Sequence, residues 1–481
     1  MITFILYELV RVFSLFIICF VVVMSSISVL QMILALFVIP GYIKKTRRCE
    51  YRLMGASRNM APISVLIPAF NEEAAIVECI KSMLNSNYTN FEVLVINDGS
   101  KDKTLDTILG AFSLHKITYP ARERLATKEV RGIYYNPDFP RLRLIDKEHG
   151  GKSDALNAGI NLSRCPYFVT VDADCLLEED ALLRLAMGFM QNKYTIAAGG
   201  MIRLVNGCST LNGKVTEKAL PQTIWPLFQT VEYFRSFLVG RIWWNSLNSL
   251  LTLSGAFAAF QKEPVIQAGG YTPGSIGEDM DVVVKLHRYM RSKQFKYRVA
   301  FLPDPVCWTR APESLDQLYY QRRRWQMGLI EVLARYRKML FNPQYGLVGM
   351  LAMPCHVLFE MASPAVELLG YVMVPLAWYF GFVSLNALIL FFTASVGFGV
   401  IVSLGSLLAE DFTKSNGIKA PEGFRLALAG IAENFFFRQI TVFFRLRGIL
   451  SYRKYKSDWG LSKRRRFNQS GQTVQPGVVT S

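Results

Sequence analysis

The chain has 481 residues, 51% of them hydrophobic, with a formal net charge of +17 and a mean hydropathy of +0.23. That hydropathy argues against a wholly soluble protein, and the apolar excess sits at the two ends of the chain, as membrane spans would place it. Nucleic-acid binding has only the charge in its favour: no zinc-finger spacing, basic zipper or RNA-binding signature is present, and much of the basic charge borders apolar stretches, where lipid is the better partner.

Residues 12–42 are almost entirely apolar and are followed at once by Lys44, Lys45, Arg47 and Arg48. A cleaved signal would put its positive charge first, so 1–43 is read as a transmembrane anchor with the N-terminus outside. Residues 59–333 carry the water-soluble chemistry. Residues 334–450 return to membrane helices and interface helices, and 451–481 form a basic tail on the inner side. Two spans broken near prolines are expected over 346–380, one over 385–408 and one over 426–444, for about five crossings in all. Glu360, Glu367, Glu433 and Arg438 fall at membrane depth, where charge is costly. Buried pairs that hold a helix bundle together, or a polar, aromatic-lined channel, both account for them.

Within 59–333 the pattern is α/β. The run Ile63–Pro68 predicts a buried parallel strand, with Asn71, Glu72 and Glu73 opening a helix over 74–84. A second strand over 91–96 ends in Asn97-Asp98-Gly99-Ser100, and the next helix begins near Thr104. Two strand–helix units in about fifty residues point to a doubly wound sheet. No Gly-x-Gly-x-x-Gly joins strand to helix and no Walker A motif occurs, so dinucleotide and P-loop folds are disfavoured. Residues 112–139 read as an irregular, charged insertion. Gly150-Gly151-Lys152 opens another helix, which suits a phosphate or an ordinary helix cap equally.

The strand over 167–171 runs straight into Asp172-Ala173-Asp174. Two carboxylates one residue apart at a strand end form a compact site for Mg²⁺ or Mn²⁺ on a diphosphate, with a solvated turn as the plain alternative. The eight cysteines show no knuckle or redox spacing and the four histidines form no cluster, so any metal falls to carboxylates in a reducing compartment. Further strands are expected over 197–203, 251–260 and 299–306, with Ser254 and Gly255 small enough to admit a ligand. A long helical stretch over 225–250 separates two of them. Glu278-Asp279 opens a helix over 280–290, and Asp279 is the best candidate for a general base. An amphipathic helix over 315–332 carries Gln321-Arg322-Arg323-Arg324-Trp325. Such a run suits a lipid interface, or a clamp on a diphosphate beside a sugar platform.

Taken in order, these motifs resemble the processive, inverting, membrane-embedded glycosyltransferases of family 2, which include cellulose, hyaluronan, chitin-type and poly-N-acetylglucosamine synthases. The resemblance implies a cytosolic GT-A type domain inserted between transmembrane helices. It implies a UDP-sugar donor at Ala69, Asn71, Glu72, Asp98, Lys152, Asp172, Gln321 and Arg324. It places Mg²⁺ or Mn²⁺ on Asp172 and Asp174, catalysis with Asp279, Glu278 and Arg324, and a growing polysaccharide acceptor at Ser254, Gly255 and Trp325. It also implies inversion to a β-linkage and translocation across the plasma (inner) membrane, with Trp225, Trp243, Phe435 and Phe436 as candidate lining residues. The cyclic-di-GMP barrel of bacterial cellulose synthase finds no counterpart. UDP-glucose is slightly preferred, with UDP-N-acetylglucosamine polymerisation or transfer of one sugar to a lipid as alternatives. A transporter with a nucleotide-binding domain is the rival from another class. An accessory secretion subunit and the oligomeric state stay open.

Overall fold

The computed structural model describes residues 2–47, 60–120, 123–413 and 420–452. The basic tail expected at 451–481 lies almost wholly outside the described residues. Continuous apolar runs fold as strands buried on both faces. β1 (Ile63–Ala69) and β2 (Phe91–Asn97) are of this kind. With β5 (Leu142–Lys147) and β6 (Tyr167–Val171) they form a parallel core in the spatial order β5-β2-β1-β6. Helices Ile76–Leu84, Thr104–Phe112 and Lys152–Leu162 make the crossovers.

The sheet then departs from a purely parallel plan. β3 (His115–Ile117) and β4 (Val130–Tyr135) pair with each other and β4 with β5, all antiparallel, so part of the expected irregular insertion is a sheet edge. On the other side β11 (Phe257–Gln261) runs antiparallel between β6 and β8 (Thr195–Leu204). The strand expected over 251–260 is therefore half its expected length, and Ser254-Gly255 belongs to the loop that enters it. β12 (Arg298–Thr309) pairs with β8 and, at its far edge, with β7 (Leu176–Leu177), which completes ten strands, while β9 (Ser209–Leu211) and β10 (Lys214–Glu217) pair antiparallel in a small sheet of their own. Its register slips between Phe301 and Val306, where Pro303 and Pro305 have no N–H to donate. The slip turns Asp304 toward the N-terminal helix Ile2–Arg47. There it accepts a hydrogen bond from Tyr42 Oη at 2.6 Å and pairs with Arg184 at 3.3 Å.

Among the described residues two helices, Val10–Thr46 and Leu388–Thr413, are long and apolar enough to cross a membrane. The two spans expected over 346–380 are instead one helix pair, Val348–Met361 and Ser363–Tyr379, bent by 42°. Pro364, at the start of the second helix, marks the bend. The last expected span is broken as well, into Ala420–Ala432 and Phe437–Ser451. The membrane carboxylates find partners on other helices. Glu433 pairs with Arg235 of the soluble domain at 2.5 Å, Arg438 with Glu367 at 3.3 Å and Arg445 with Glu360 at 3.2 Å. Arg203 on β8 meets Glu410 of the 388–413 span at 2.6 Å, both side chains 2% exposed.

Removing one member of a pair this deeply buried leaves an uncompensated charge and costs about 3–5 kcal/mol, whereas replacing both with apolar groups is far milder. Glu410→Ala is expected to lower the melting temperature in detergent sharply. The double variant Arg203→Met with Glu410→Leu is expected to recover most of the loss.

Candidate active site

The expected site residues gather along one edge of the sheet, at the C-terminal ends of β1, β2, β5 and β6. Ligands bind in this position in open α/β folds, because the strand order reverses there and the loops diverge. β11 runs the other way. Phe257 lies opposite Val171, so the loop before β11 reaches the same edge beside Asp172.

One wall is built from three laced turns. Asn71 sits in the left-handed region at φ 57°. Its amide donates to Ser100 Oγ at 3.0 Å and its side chain accepts from Lys101 N at 2.8 Å. Glu72 N donates to Thr104 Oγ1 at 2.8 Å. Asp98 ties the second turn to the third: its carboxylate accepts from Gly150 N at 3.0 Å, Gly151 N at 2.7 Å and Lys147 Nζ at 2.9 Å. Lys147 is fully buried and also reaches Asp154 at 2.5 Å. A Cβ on Gly99, whose φ is +65°, would come within 2.9 Å of His149 N, so only glycine lets these turns close. Ala69, Glu72 and Asp98 are buried and shape this wall from behind. Lys147, His149 and Asp154 belong to the wall too. Their sequence signal was a charged run before two glycines, which does not reveal that Asp98 is its partner.

The other wall is an alternation of acids and one ammonium. Lys152 starts its helix after Gly151, and its Nζ lies 2.6 Å from Asp172 Oδ1 and 2.9 Å from Glu278 Oε1. Burial works against the lysine's charge, but the two carboxylates outweigh it and hold the ammonium well above the ordinary lysine range. Burial also drives Asp172 upward, against Lys152 and with help from Asp174. Glu278 and Asp279 are pushed apart. For Glu278 the pull of Lys152 and Arg324 overcomes burial, and the carboxyl lies below the ordinary glutamate range. Asp279 is raised, first by burial and next by Glu278, with Lys152 opposing. Its Oδ1 accepts from Met280 N at 2.8 Å. Adjacent acids with opposed shifts are a common arrangement in acid–base sites.

Ser254, Gly255, Leu253, Thr170 and Tyr271 line the cavity in front of these acids. Tyr271 is buried beside Lys152, an arrangement that depends on long-range packing. A Cβ on Gly255 would meet Lys152 Nζ at 3.1 Å, Asp279 Cβ at 3.3 Å and Glu278 Oε1 at 3.5 Å.

The helix Leu315–Arg335 passes alongside. It closes glycine to glycine on the turn before Glu278, where a Cβ on Gly277 would lie 3.0 Å from the backbone of Gly328. That contact brings Arg324 within electrostatic reach of Glu278. Gln321 is partly buried, with an Oε1 that has no hydrogen-bond partner among the described residues, and Trp325 stays 43% exposed. Arg322, fixed to Glu232 by bonds of 2.8 and 2.6 Å, lies over the Trp325 ring at 4.6 Å. Trp225, Trp243, Phe435 and Phe436 fall on other elements, and Trp225 packs edge-on to Phe228.

Two family models cover this framework. One described as glycosyl transferase family 2 matches residues 64–237, and one described as glycosyl transferase family group 2 matches residues 167–404. The chain belongs to glycosyltransferase family 2. This family 2 chain is 31% identical over 275 residues to a poly-beta-1,6-N-acetyl-D-glucosamine synthase of Staphylococcus aureus, covering 57% of the chain and 56% of that relative. It is 30% identical over 276 residues to the synthase of the same name from Staphylococcus epidermidis, again covering 57% and 56%. It thus spans a little over half the length of these relatives. Among solved structures, a mannosyltransferase from Pyrobaculum calidifontis in complex with GDP-Man and Mn²⁺ aligns over 86% of this chain and 99% of that one, at 17% identity and a TM-score of 0.48.

Gly255→Ala is expected to leave the melting temperature within a few degrees of wild type and to reduce sugar transfer about 100-fold, since a small displacement of aligned groups has that effect. UDP release from the purified protein measures it.

Proposed function

We propose that this family 2 transferase is an inverting, processive polymerase that joins N-acetylglucosamine from UDP-N-acetylglucosamine into a β-linked polysaccharide and passes it across the membrane. The observation that carries the donor is the 31% identity to poly-beta-1,6-N-acetyl-D-glucosamine synthase, which extends over 275 residues. It favours the alternative left open by the sequence over the slight preference for UDP-glucose, and it makes 1,6 the linkage to look for.

The family implies a divalent cation, and the donor set fits one. Lys152 already places a positive charge between Asp172 and Glu278. Among the described residues no three His, Cys, Asp or Glu converge closely enough to hold an ion alone, which suits Mg²⁺ or Mn²⁺ held by one or two carboxylates and the substrate's own phosphates. Asp172 and Asp174 would hold it, and it would offset charge on the departing diphosphate.

The remaining chemistry falls to the chain's own groups. Asp279, raised in basicity, takes the proton from the acceptor hydroxyl. The oxygen attacks the anomeric carbon from the face opposite UDP, and the bond to the diphosphate breaks. Arg324 and Lys152 steady the negative charge that leaves. Glu278 stays ionised and keeps Lys152 in place. A single displacement with no enzyme nucleophile inverts the centre, so an α-linked donor gives a β-linkage.

Membrane attachment is common ground. For topology we favour three crossings over five. Tyr42 near the end of the first span and Glu410 near the end of the 388–413 span both contact the catalytic domain. Both ends therefore lie on its side, which Lys44 and Lys45 mark as cytoplasmic. The bent pair between them supplies the outward crossing.

Purified protein in nanodiscs with Mg²⁺ or Mn²⁺ is expected to convert UDP-N-acetylglucosamine into high-molecular-weight product, and Asp279→Asn to lower the rate at least about 100-fold. Polymer from UDP-glucose alone would overturn the donor. A short, lipid-extractable product would replace the polymerase with a lipid-directed transferase.

Asp279 must be ionised to act, and its carboxyl lies above the ordinary aspartate range. Turnover is therefore expected to fall as pH drops through that raised value and to plateau above it. Lys152→Met removes a cation that opposes the rise, so the acid limb of its residual rate should move to higher pH.

A further inference from the structure

One helical stretch on the membrane side of the domain changes pitch part-way. Ile224–Phe234 is α-helical, Arg235–Arg241 is a π-helix and Ile242–Ser246 returns to α. A π turn carries an extra residue and rotates the helix beyond it, a distortion found frequently at functional sites. Here each end of it carries an arginine. Arg235 leans toward the membrane helices, 2.5 Å from Glu433 and 3.0 Å from Ser403 Oγ.

Arg241, at the other end, lies within electrostatic reach of Asp279. Its guanidinium lies over the Phe237 ring at 3.9 Å. Nη1 is buried and has no hydrogen-bond partner among the described residues. Burial lowers its pKa to about 10, so it is a cation at neutral pH, and Asp279 is the carboxylate that acts on it most strongly. Lys152 acts on all three neighbouring acids; beside it Glu278 has Arg324 and Asp279 has Arg241. A charged N–H kept from water and left without an acceptor is costly, and a ligand that supplies an acceptor removes that cost.

We propose that Arg241 is an acceptor-binding residue whose Nη1 donates to a neutral sugar oxygen beside the attacking hydroxyl, holding the end of the polymer against Asp279. The aromatic ring fixes the plane of the guanidinium, so its N–H groups are confined to directions in that plane. A sugar hydroxyl or acetamido oxygen supplies the missing acceptor. The inference rests on the reading of Asp279 as the base.

The test compares wild type, Arg241→Gln and Arg241→Lys as full-length protein in nanodiscs. The wild-type donor is fixed first between UDP-N-acetylglucosamine and UDP-glucose; failure of the former overturns the donor proposed above and leaves the Arg241 comparison to be made with the latter. Each protein is then given donor and increasing concentrations of a short β-linked oligosaccharide of the same sugar. Donor hydrolysis without oligosaccharide is measured in parallel, and UDP binding by calorimetry reports that the fold is intact. Arg241→Gln is expected to reduce kcat/KM for the oligosaccharide about 100-fold, with the KM for donor, UDP affinity and background hydrolysis within about twofold of wild type. Arg241→Lys should recover part of the loss. An equal loss in UDP affinity would place Arg241 on the donor, and unchanged oligosaccharide kinetics would leave it a packing residue; either overturns the proposal. If Arg241→Gln fails to bind UDP because it is misfolded, the Arg241→Lys kinetics decide alone: wild-type values for the oligosaccharide overturn the proposal.

Discussion

The site depends on one buried ammonium shared by two carboxylates. Lys152 begins the helix after β5, Asp172 follows β6, and Glu278 opens a helix more than a hundred residues further on. Each would repel or desolvate the others badly if the lysine were absent: four acids, Asp172, Asp174, Glu278 and Asp279, occupy one strand edge and the turn that faces it. In a water-poor setting such charges are tolerated only when compensated at close range. The same compensation differentiates them, since Glu278, held by the lysine, stays ionised while its neighbour Asp279 is left more basic. The glycines at 255, 277 and 328 serve this arrangement by letting two loops and a helix approach where a single methyl group would hold them off.

What the sequence makes legible here is whatever depends on local pattern. Apolar runs ending in acids announced β1, β2 and β6 and the catalytic edge, and the motif order announced the family. Elements set by pairing partners were not legible. Residues 115–117 and 130–135 lack the apolar density of a core strand and become strands only because β5 offers them an edge. Residues 251–256 look like a strand by composition, yet Gly255 must stay in a loop to reach Lys152. The places of Lys147 and Tyr271 arise from contacts across 49 and 114 residues of sequence, Lys147 with Asp98 and the Tyr271 backbone with Asn157, and no spacing rule encodes those.

The membrane region teaches the same lesson with charges. Glu360, Glu367, Glu433 and Arg438 stood out as anomalies in apolar sequence, and the helices break near several of them. Glu433 and Arg438, five apart, pair with Arg235 and Glu367 instead of with each other. A long hydrophobic stretch is therefore a poor guide to crossings when it contains ions, because each ion must be led to a counter-ion and the backbone bends to do so.

Those ion pairs have a mechanical side. Asp304 hydrogen-bonds to the first span through Tyr42, Arg203 is joined to the 388–413 span, and Arg235 to the helices beyond it. Contacts at three separated points oppose rocking of the domain against its moorings. A catalytic edge held in this way keeps one height relative to the spans. If a polymer leaves through the spans, it is advanced by its own lengthening end, as thread is pushed through a fixed eyelet, with no swinging arm to draw it.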